Sequence, residues 1–434
     1  MMPMPAIMRQ QLTRHQSRIE LVARYLMGQG LVQLFNVLTG FLLLRWLSID
    51  EQAKYTFAFS LQAGMSILAD LGFSGCIVAL VGEHITNKER VGTYIATAKH
   101  YRLRFLLLSF IVGSVALPFI TDKQAWDWQT QLALLVPILT TIYLQGSVSL
   151  YTAPLQMHRQ LTDLYNTQAI QAVLRLVCCS FLYAIGTLDV YAVLWVYNLA
   201  LWYTAVTYRR KAARFMVDSP AIDSEARKAV LAYLKPLIPS LIFNAFYGQI
   251  SIFIMAFYGK QSDLAGLGAL ARLNQLFLLL NTFNSVVLAP YMARQPTERL
   301  PKAYGMALLG GVAAACLMNL LVWSYPDGFI WLLGNRYTSL DSELKLYMFN
   351  QSLIYIGSVF WSIHAARNWI FGINAWIYIA GLTIIQVYIV KVYDLTNLHN
   401  VILTSLISTS FVLLLHLATG IAGWLKEHNS KILF

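Results

Sequence analysis

Apolar positions in this chain come in long unbroken runs, separated by short polar stretches, rather than in strict alternation. A run such as FLLLSFIVGSVALPFI (105–120) shows neither the period of a half-buried strand nor the single apolar stripe of a surface helix. It is apolar on every side, as a helix in lipid must be, and about 20 such residues cross a bilayer. A transmembrane barrel would show segments of about ten alternating residues instead. Twelve runs are long enough, at about 21–44, 55–80, 105–121, 130–154, 165–186, 190–208, 231–258, 264–291, 303–325, 346–365, 370–390 and 400–424. The pattern predicts an all-α polytopic membrane protein of about twelve transmembrane helices.

The polar stretches set the organisation. The longest, RRKAARFMVDSPAIDSEARKAV at 209–230, separates a six-helix lobe over 1–208 from a second over 231–434. Six is even, so both lobes start on the same side, which suits parallel repeats about an axis along the membrane normal. Each opens with a helix bearing a cation near its inner end (Arg24, Lys235), followed by an outer loop with an acid (Asp50, Asp263). Pro236 and Pro239 fall in the first turns of the seventh helix and favour a kink there, either for packing or as part of a gate.

Composition and charge add direction. The chain is 58% hydrophobic and only 12% charged, against about 25% charged in a soluble domain. With the N-terminus inside, the inner segments hold 21 Lys and Arg and the outer segments 7. That asymmetry satisfies the positive-inside rule with both termini cytoplasmic. The net charge of +12 then reflects topology and contact with anionic membrane lipids, not nucleic acid. The first apolar run is too long for a signal peptide and is interrupted by Arg24, so Arg9, Arg14 and Arg18 read as a retained tail. Cys76, Cys178, Cys179 and Cys316 all lie in expected spans without metal-site spacing and read as helical hydrophobes.

Candidate chemistry rests on ionisable groups inside the spans. Arg24, Arg175, Lys235 and Arg272 stand in apolar runs, with Asp70 as the accompanying acid. A cation at the centre of a membrane helix costs roughly 2.5–3.5 kcal/mol on insertion scales, so such groups line wet cavities or carry function. Excess positive charge points to an anionic substrate, and a phosphate suits arginine best. Arg175 and Arg272 are the deeper pair, whereas Arg24 and Lys235 are near enough to inner ends to snorkel. Asp70 either neutralises an arginine or binds a coupling proton or sodium ion. Gln33 and Asn36 share one face of the first helix, and Asn244, Gln275 and Asn281 add amides to the seventh and eighth. Such amides glue helices together or hydrogen-bond sugar hydroxyls. His364 and His416 read as packing groups. The chain has no Walker A, GxSxG or HExxH motif and no carboxylate pair in a span. A transporter with no metal or cofactor is expected, not an enzyme.

Residues 42–74, LLLRWLSIDEQAKYTFAFSLQAGMSILADLGFS, resemble the opening of Wzx-type O-antigen and polysaccharide flippases. The matching features are Asp50, Glu51 and Tyr55 in the first loop and the run Ala69, Asp70, Leu71, Gly72. Residues 231–294 are similar to that family's seventh and eighth helices. The chain departs in having Gln52, Ala53 and Lys54 where the family more often has a glycine-containing turn. The resemblance implies the multidrug/oligosaccharidyl-lipid/polysaccharide exporter superfamily, with two six-helix lobes around a V-shaped, cationic central cavity. It implies a substrate of undecaprenyl-pyrophosphate-linked oligosaccharide, moved from the cytoplasmic to the periplasmic leaflet in lipopolysaccharide biosynthesis, and a polysaccharide polymerase as a candidate partner. Arg175, Arg272, Arg24 and Lys235 would then meet the pyrophosphate. Two rivals stand beside it: an ion-coupled drug or cation extruder of the same superfamily, which should favour carboxylates, and a non-transporting scaffold of a glycan-assembly complex.

Overall fold

The computed structural model describes residues 28–82, 85–217 and 223–429, and every regular element among them is helical. In chain order these are α1 (28–46), α2 (Ile49–Asp70), α3 (Phe73–Val81), α4 (Lys88–Thr121), α5 (Trp128–Met157), α6 (Leu161–Ala184) and α7 (Val190–Ala212). There follow α8 (Ser224–Leu234), α9 (Ile238–Tyr247), α10 (Ile250–Tyr258), α11 (Gln261–Arg272), α12 (Asn274–Phe283) and α13 (Ala289–Ala293). The last five are α14 (Leu300–Ser324), α15 (Pro326–Leu333), α16 (Asp341–Ala366), α17 (Gly372–Val392) and α18 (Leu398–Asn429). Among the described residues nine helices are long and apolar enough to cross a membrane, and the interrupted pair α8–α9 raises that to ten. Each expected apolar run falls on a helix, but α1, described from residue 28 onward, and α16 are not in that set. Twelve therefore stays an expectation.

Several runs that read as single spans are broken, each for a local reason. The run over 49–81 divides where Leu71 and Gly72 take left-handed conformations, with φ of 39° and 83°. Glycine has no Cβ to clash there; Leu71 carries the strain that Gly72 avoids. The seventh run stops at Leu234 and resumes at Ile238, with Pro236 in the gap. In the eighth run, α11 gives way to α12 at Leu273, and a π-turn over Asn284–Leu288 precedes α13. By contrast Pro137 stays inside α5. Its carbonyl accepts from Asn198 Nδ2 of α7 at 3.0 Å, and Asn198 Oδ1 accepts from Thr141 Oγ1 at 2.7 Å. An amide thus supports a proline-bearing helix inside the bilayer.

The chain divides into two compact units: 1–42, 65–110 and 136–238 form the first, and 43–64, 111–135 and 239–434 the second. In the first, α6 and α7 pack side by side, and Leu144, Leu201 and Ala205 form a core backed by Val148 and Tyr197. Lys211 and Asp163 close the pair with an ion pair of 2.8 Å. In the second, α16 is the central helix, packed on α14 and α18 and touching α12, α13 and α15. This position explains its polar composition. Its buried Asn350 and Ser352 meet Ser405 of α18 and Asn319 of α14, at 2.9 and 2.8 Å. A helix with neighbours on most sides satisfies amides inside protein rather than exposing apolar side chains to lipid.

Candidate functional site

The second unit encloses a cavity of about 630 Å³, walled by α9–α12, α16, α17 and α18. Its polar lining is of one kind. Amides (Gln249, Asn274, Asn350, Gln351, Gln386), hydroxyls (Ser358, Ser405, Ser408) and aromatic rings (Tyr247, Tyr347, Trp361, Tyr378) dominate, with His416 the titratable base. Among the described residues no Asp, Glu, Lys or Arg lines it. Helical repetition builds this wall: Tyr347, Asn350, Ile354, Ser358 and Trp361 recur at three- or four-residue steps on α16.

Part of this polar surface is fixed by internal bonds. Tyr347 donates to Asn274 Oδ1 at 3.0 Å, Asn350 Nδ2 to Ser405 Oγ at 2.9 Å, and Gln386 Nε2 to Ser408 Oγ at 2.9 Å. The last two bonds use the amide nitrogens and leave Asn350 Oδ1 and Gln386 Oε1 buried and without a partner among the described residues. A buried carbonyl with no donor is costly, so two fixed acceptors face a need for hydroxyl or N–H donors. Tyr247 and Tyr378 meet edge to face at 6.1 Å, with Phe243 stacked on Tyr247 at 5.4 Å. Behind His416 lie Phe360 and His364, and His364 Nε2 is 3.3 Å from the Tyr304 hydroxyl. The arrangement offers hydrogen bonds and flat apolar faces without charge, the requirements for holding a neutral polyhydroxylated group.

The intramembrane cations occupy other places. Arg272 ends α11 beside Ala271 of the cavity wall, but its guanidinium lies over Tyr55 at 4.9 Å and Phe59 at 5.6 Å. In the first unit, Arg175 of α6 lies over Tyr197 of α7 at 4.9 Å. Both arginines are half-buried and neither has an ion pair among the described residues. Each guanidinium carbon thus lies over an aromatic ring within cation–π range. Lys235 is exposed at the end of α8, and Arg24 lies outside the described residues.

Asp70 ends α2 at the left-handed break. Ser74 Oγ of α3 donates to its Oδ1 at 2.7 Å and is also 2.7 Å from Ser149 Oγ. Its electrostatic partner is Arg102 of α4, a cation that the hydropathy pattern groups with the inner loops. Arg102 is 7% exposed.

Residues 21–295 match the polysaccharide biosynthesis protein family. The chain belongs to that family. No curated protein sequence matches it. In fold it is similar to a multidrug resistance MATE family transporter of the MOP superfamily in an inward-facing conformation, at 13% identity and a TM-score of 0.67, over 92% of this chain and 95% of the other. It is also similar to the lipid II flippase MurJ, at 12% identity and 0.60, over 93% and 89%. A MOP superfamily transporter from Pyrococcus furiosus, whose binding pocket is described as reversed in polarity, matches at 16% identity and 0.57, over 94% of each chain. The protein is thus a multi-span membrane protein with the MOP transporter fold, and its structural neighbours are transporters rather than enzymes.

None of the five amides singled out in the sequence lines the cavity, yet two stand directly behind its wall. Asn244 accepts from Tyr378 at 3.3 Å, and Asn281 accepts from Ser358 at 2.6 Å. Gln275 adjoins Asn274 and keeps a buried Oε1 without a partner among the described residues. Gln33 and Asn36 are half-buried on α1. The sequence reading missed Tyr347, Asn350, Gln386 and Ser405, although the polar stripe of α16 was visible in its spacing.

Proposed function

We propose that this protein is a flippase for lipid-linked oligosaccharide, carrying undecaprenyl-pyrophosphate-linked glycan repeat units from the cytoplasmic to the periplasmic leaflet of a bacterial inner membrane by alternating access. The observation that carries this reading is the uncharged cavity of amides, hydroxyls and aromatic rings. Sugars offer many hydroxyls and apolar ring faces, and such a lining can replace their water without fixing a single tight geometry. An extruder of cationic drugs should favour a carboxylate in its cavity, and among the described residues none lines this one. Family membership and the likeness to a lipid II flippase support the same class of cargo.

On this reading Arg175 and Arg272 meet the pyrophosphate, with Arg24 and Lys235 at the cytoplasmic mouth. Stacked guanidinium groups present their N–H edges to phosphate oxygens and lower the cost of moving its charge through a low-dielectric region. Asp70, bonded to Ser74 and set against Arg102, serves charge balance rather than ion coupling.

The test is translocation in proteoliposomes of a fluorescent undecaprenyl-pyrophosphate oligosaccharide, read by quenching from the outer leaflet. Wild-type protein should flip it and leave organic cations untransported. The double variant Asn350→Leu/Gln386→Leu should lose about thirtyfold in flux, as two hydrogen-bonding groups worth about 1 kcal/mol each are removed. Organic cation transport without lipid flipping would overturn the reading in favour of an extruder; neither activity would favour the scaffold.

A further inference from the structure

The first unit holds a second concave site, unrelated to the sugar-type cavity and formed only by α4 and α5. It is a groove of about 310 Å³. Lys99, His100 and Arg102 of α4 and Tyr143 and Ser147 of α5 supply its polar lining, and Leu103 and Leu106 are among its apolar lining. Arg102 is buried, and a Cβ at Gly146 would fall on its guanidinium, so the absence of a side chain on α5 is what admits the group. Its bonding is incomplete. Nη2 makes one long contact of 3.5 Å to the Ile142 carbonyl, and Nη1 has no hydrogen-bond partner among the described residues. Asp70 acts on it electrostatically, but no ion pair among the described residues includes Arg102. A buried guanidinium with an unused donor is expensive unless something supplies an acceptor.

Depth identifies the class of that acceptor. The first half of α4 carries Lys88, Glu89, Arg90, Lys99, His100, Arg102 and Arg104, whereas 105–120 carries no charge. The helix rises about 28 Å from Arg102 to Thr121 at about 1.5 Å per residue, close to the thickness of the hydrocarbon core. Arg102 therefore sits at headgroup level. Beyond it the outer face of α4 is lipid-facing, with Leu103, Leu107 and Leu108 each more than half exposed. Basic groups at the headgroup boundary with an apolar channel beneath them match an anionic headgroup attached to a hydrocarbon chain.

We propose that this groove binds an anionic phospholipid of the bilayer, its phosphate held by the Arg102 fork with Lys99 and His100 at the rim, and one acyl chain along the leucines. The phosphate oxygens supply the acceptor that Nη1 lacks, and Lys99 and His100 discriminate against a headgroup carrying its own cation.

The test is native mass spectrometry of the full-length protein in neutral detergent, titrated with phosphatidylglycerol or phosphatidylcholine. Phosphatidylglycerol should bind in preference to phosphatidylcholine. Lys99→Gln should weaken it about fivefold, equivalent to ~1 kcal/mol for one basic group at a membrane surface. Arg102→Gln should abolish the preference. Because Arg102 is buried and its replacement can impair folding, the rim variant decides independently. Equal binding of the two lipids by wild-type protein, or a preference unchanged by Lys99→Gln, would overturn the proposal. Displacement of phosphatidylglycerol by an equimolar polyprenyl phosphate would overturn the assignment to a bilayer lipid. No outcome depends on transport, so this site and the flippase reading stand or fall separately.

Discussion

A guanidinium in an apolar setting needs a counter-charge or a covered face, and the arginines of this protein differ in which they receive. Arg272 has two aromatic faces and Arg175 one. A desolvated cation–π contact is worth about 2 kcal/mol, but much of it depends on the flat, weakly hydrated guanidinium. Arg272→Lys keeps the charge and loses both the stacking and the fork. The expected result is about a tenfold fall in lipid-linked oligosaccharide flux in proteoliposomes, with net charge unchanged. Wild-type flux in that variant would show that a point charge suffices. Arg102 depends on a missing side chain instead. Gly146→Ala puts a methyl on its guanidinium and should destabilise the protein by about 1–3 kcal/mol, the usual cost of overpacking. Thermal unfolding in detergent reads this directly. In an Arg102→Ala background the same change should cost far less, and simple additivity of the two would contradict the contact.

Elements show why part of this architecture was legible and part was not. Lipid demands unbroken apolar runs, so α5, α6, α7, α14, α17 and α18 stand close to where hydropathy alone puts them. The demand stops at the end of the apolar run, and α4 does not. It begins at Lys88, nearly five turns before the apolar run, and this polar extension carries Arg102 onto α5. Composition could only count that arginine among loop cations. The stripe on α16 was visible, but an amide bonding a neighbouring helix and an amide lining a cavity both face inward at the same spacing. Asn350 does both. The break after α2 lay inside a run, 55–80, that hydropathy reads as one span, because a single glycine among apolar residues does not interrupt the pattern. Gly72→Ala should cost about 1–2 kcal/mol, the penalty of a Cβ in the left-handed region, because φ is 83° there. A lowered Tm with Asp70 and Ser74 intact is the expected signature, and an unchanged Tm would mean that the break can relax.

For the whole molecule, the distribution of charge predicts an orientation that helix packing alone leaves open. The Lys and Arg outside the expected spans fall unevenly, 21 in the inner segments and 7 in the outer, and such asymmetry acts during insertion, when cationic segments are held on the cytoplasmic side. An even number of spans then returns the chain to the side from which it started. Nine or ten helices qualify on length and apolar character, and the polar α16 is the one whose passage matters most to the parity. Its buried amides find partners on α14 and α18, so it can cross the bilayer shielded by neighbours despite a composition that an isolated helix could not sustain. Were α1 and α16 to cross as well, the expected twelve crossings would place the C-terminus on the same side as the N-terminus, the cytoplasmic one by the charge rule. A green fluorescent protein fused after Phe434 should fluoresce, since it folds only on that side, and alkaline phosphatase at the same position should be inactive. Phosphatase inserted in the α4–α5 connection, at Lys123, should be active. The reverse result at the C-terminus alone would mean an odd number of crossings and would remove α16 from the membrane-spanning set. It would also move the α16–α17 connection to the opposite side of the bilayer, where Arg367, bonded to Glu427 at 2.7 Å, would no longer count among the cytoplasmic cations.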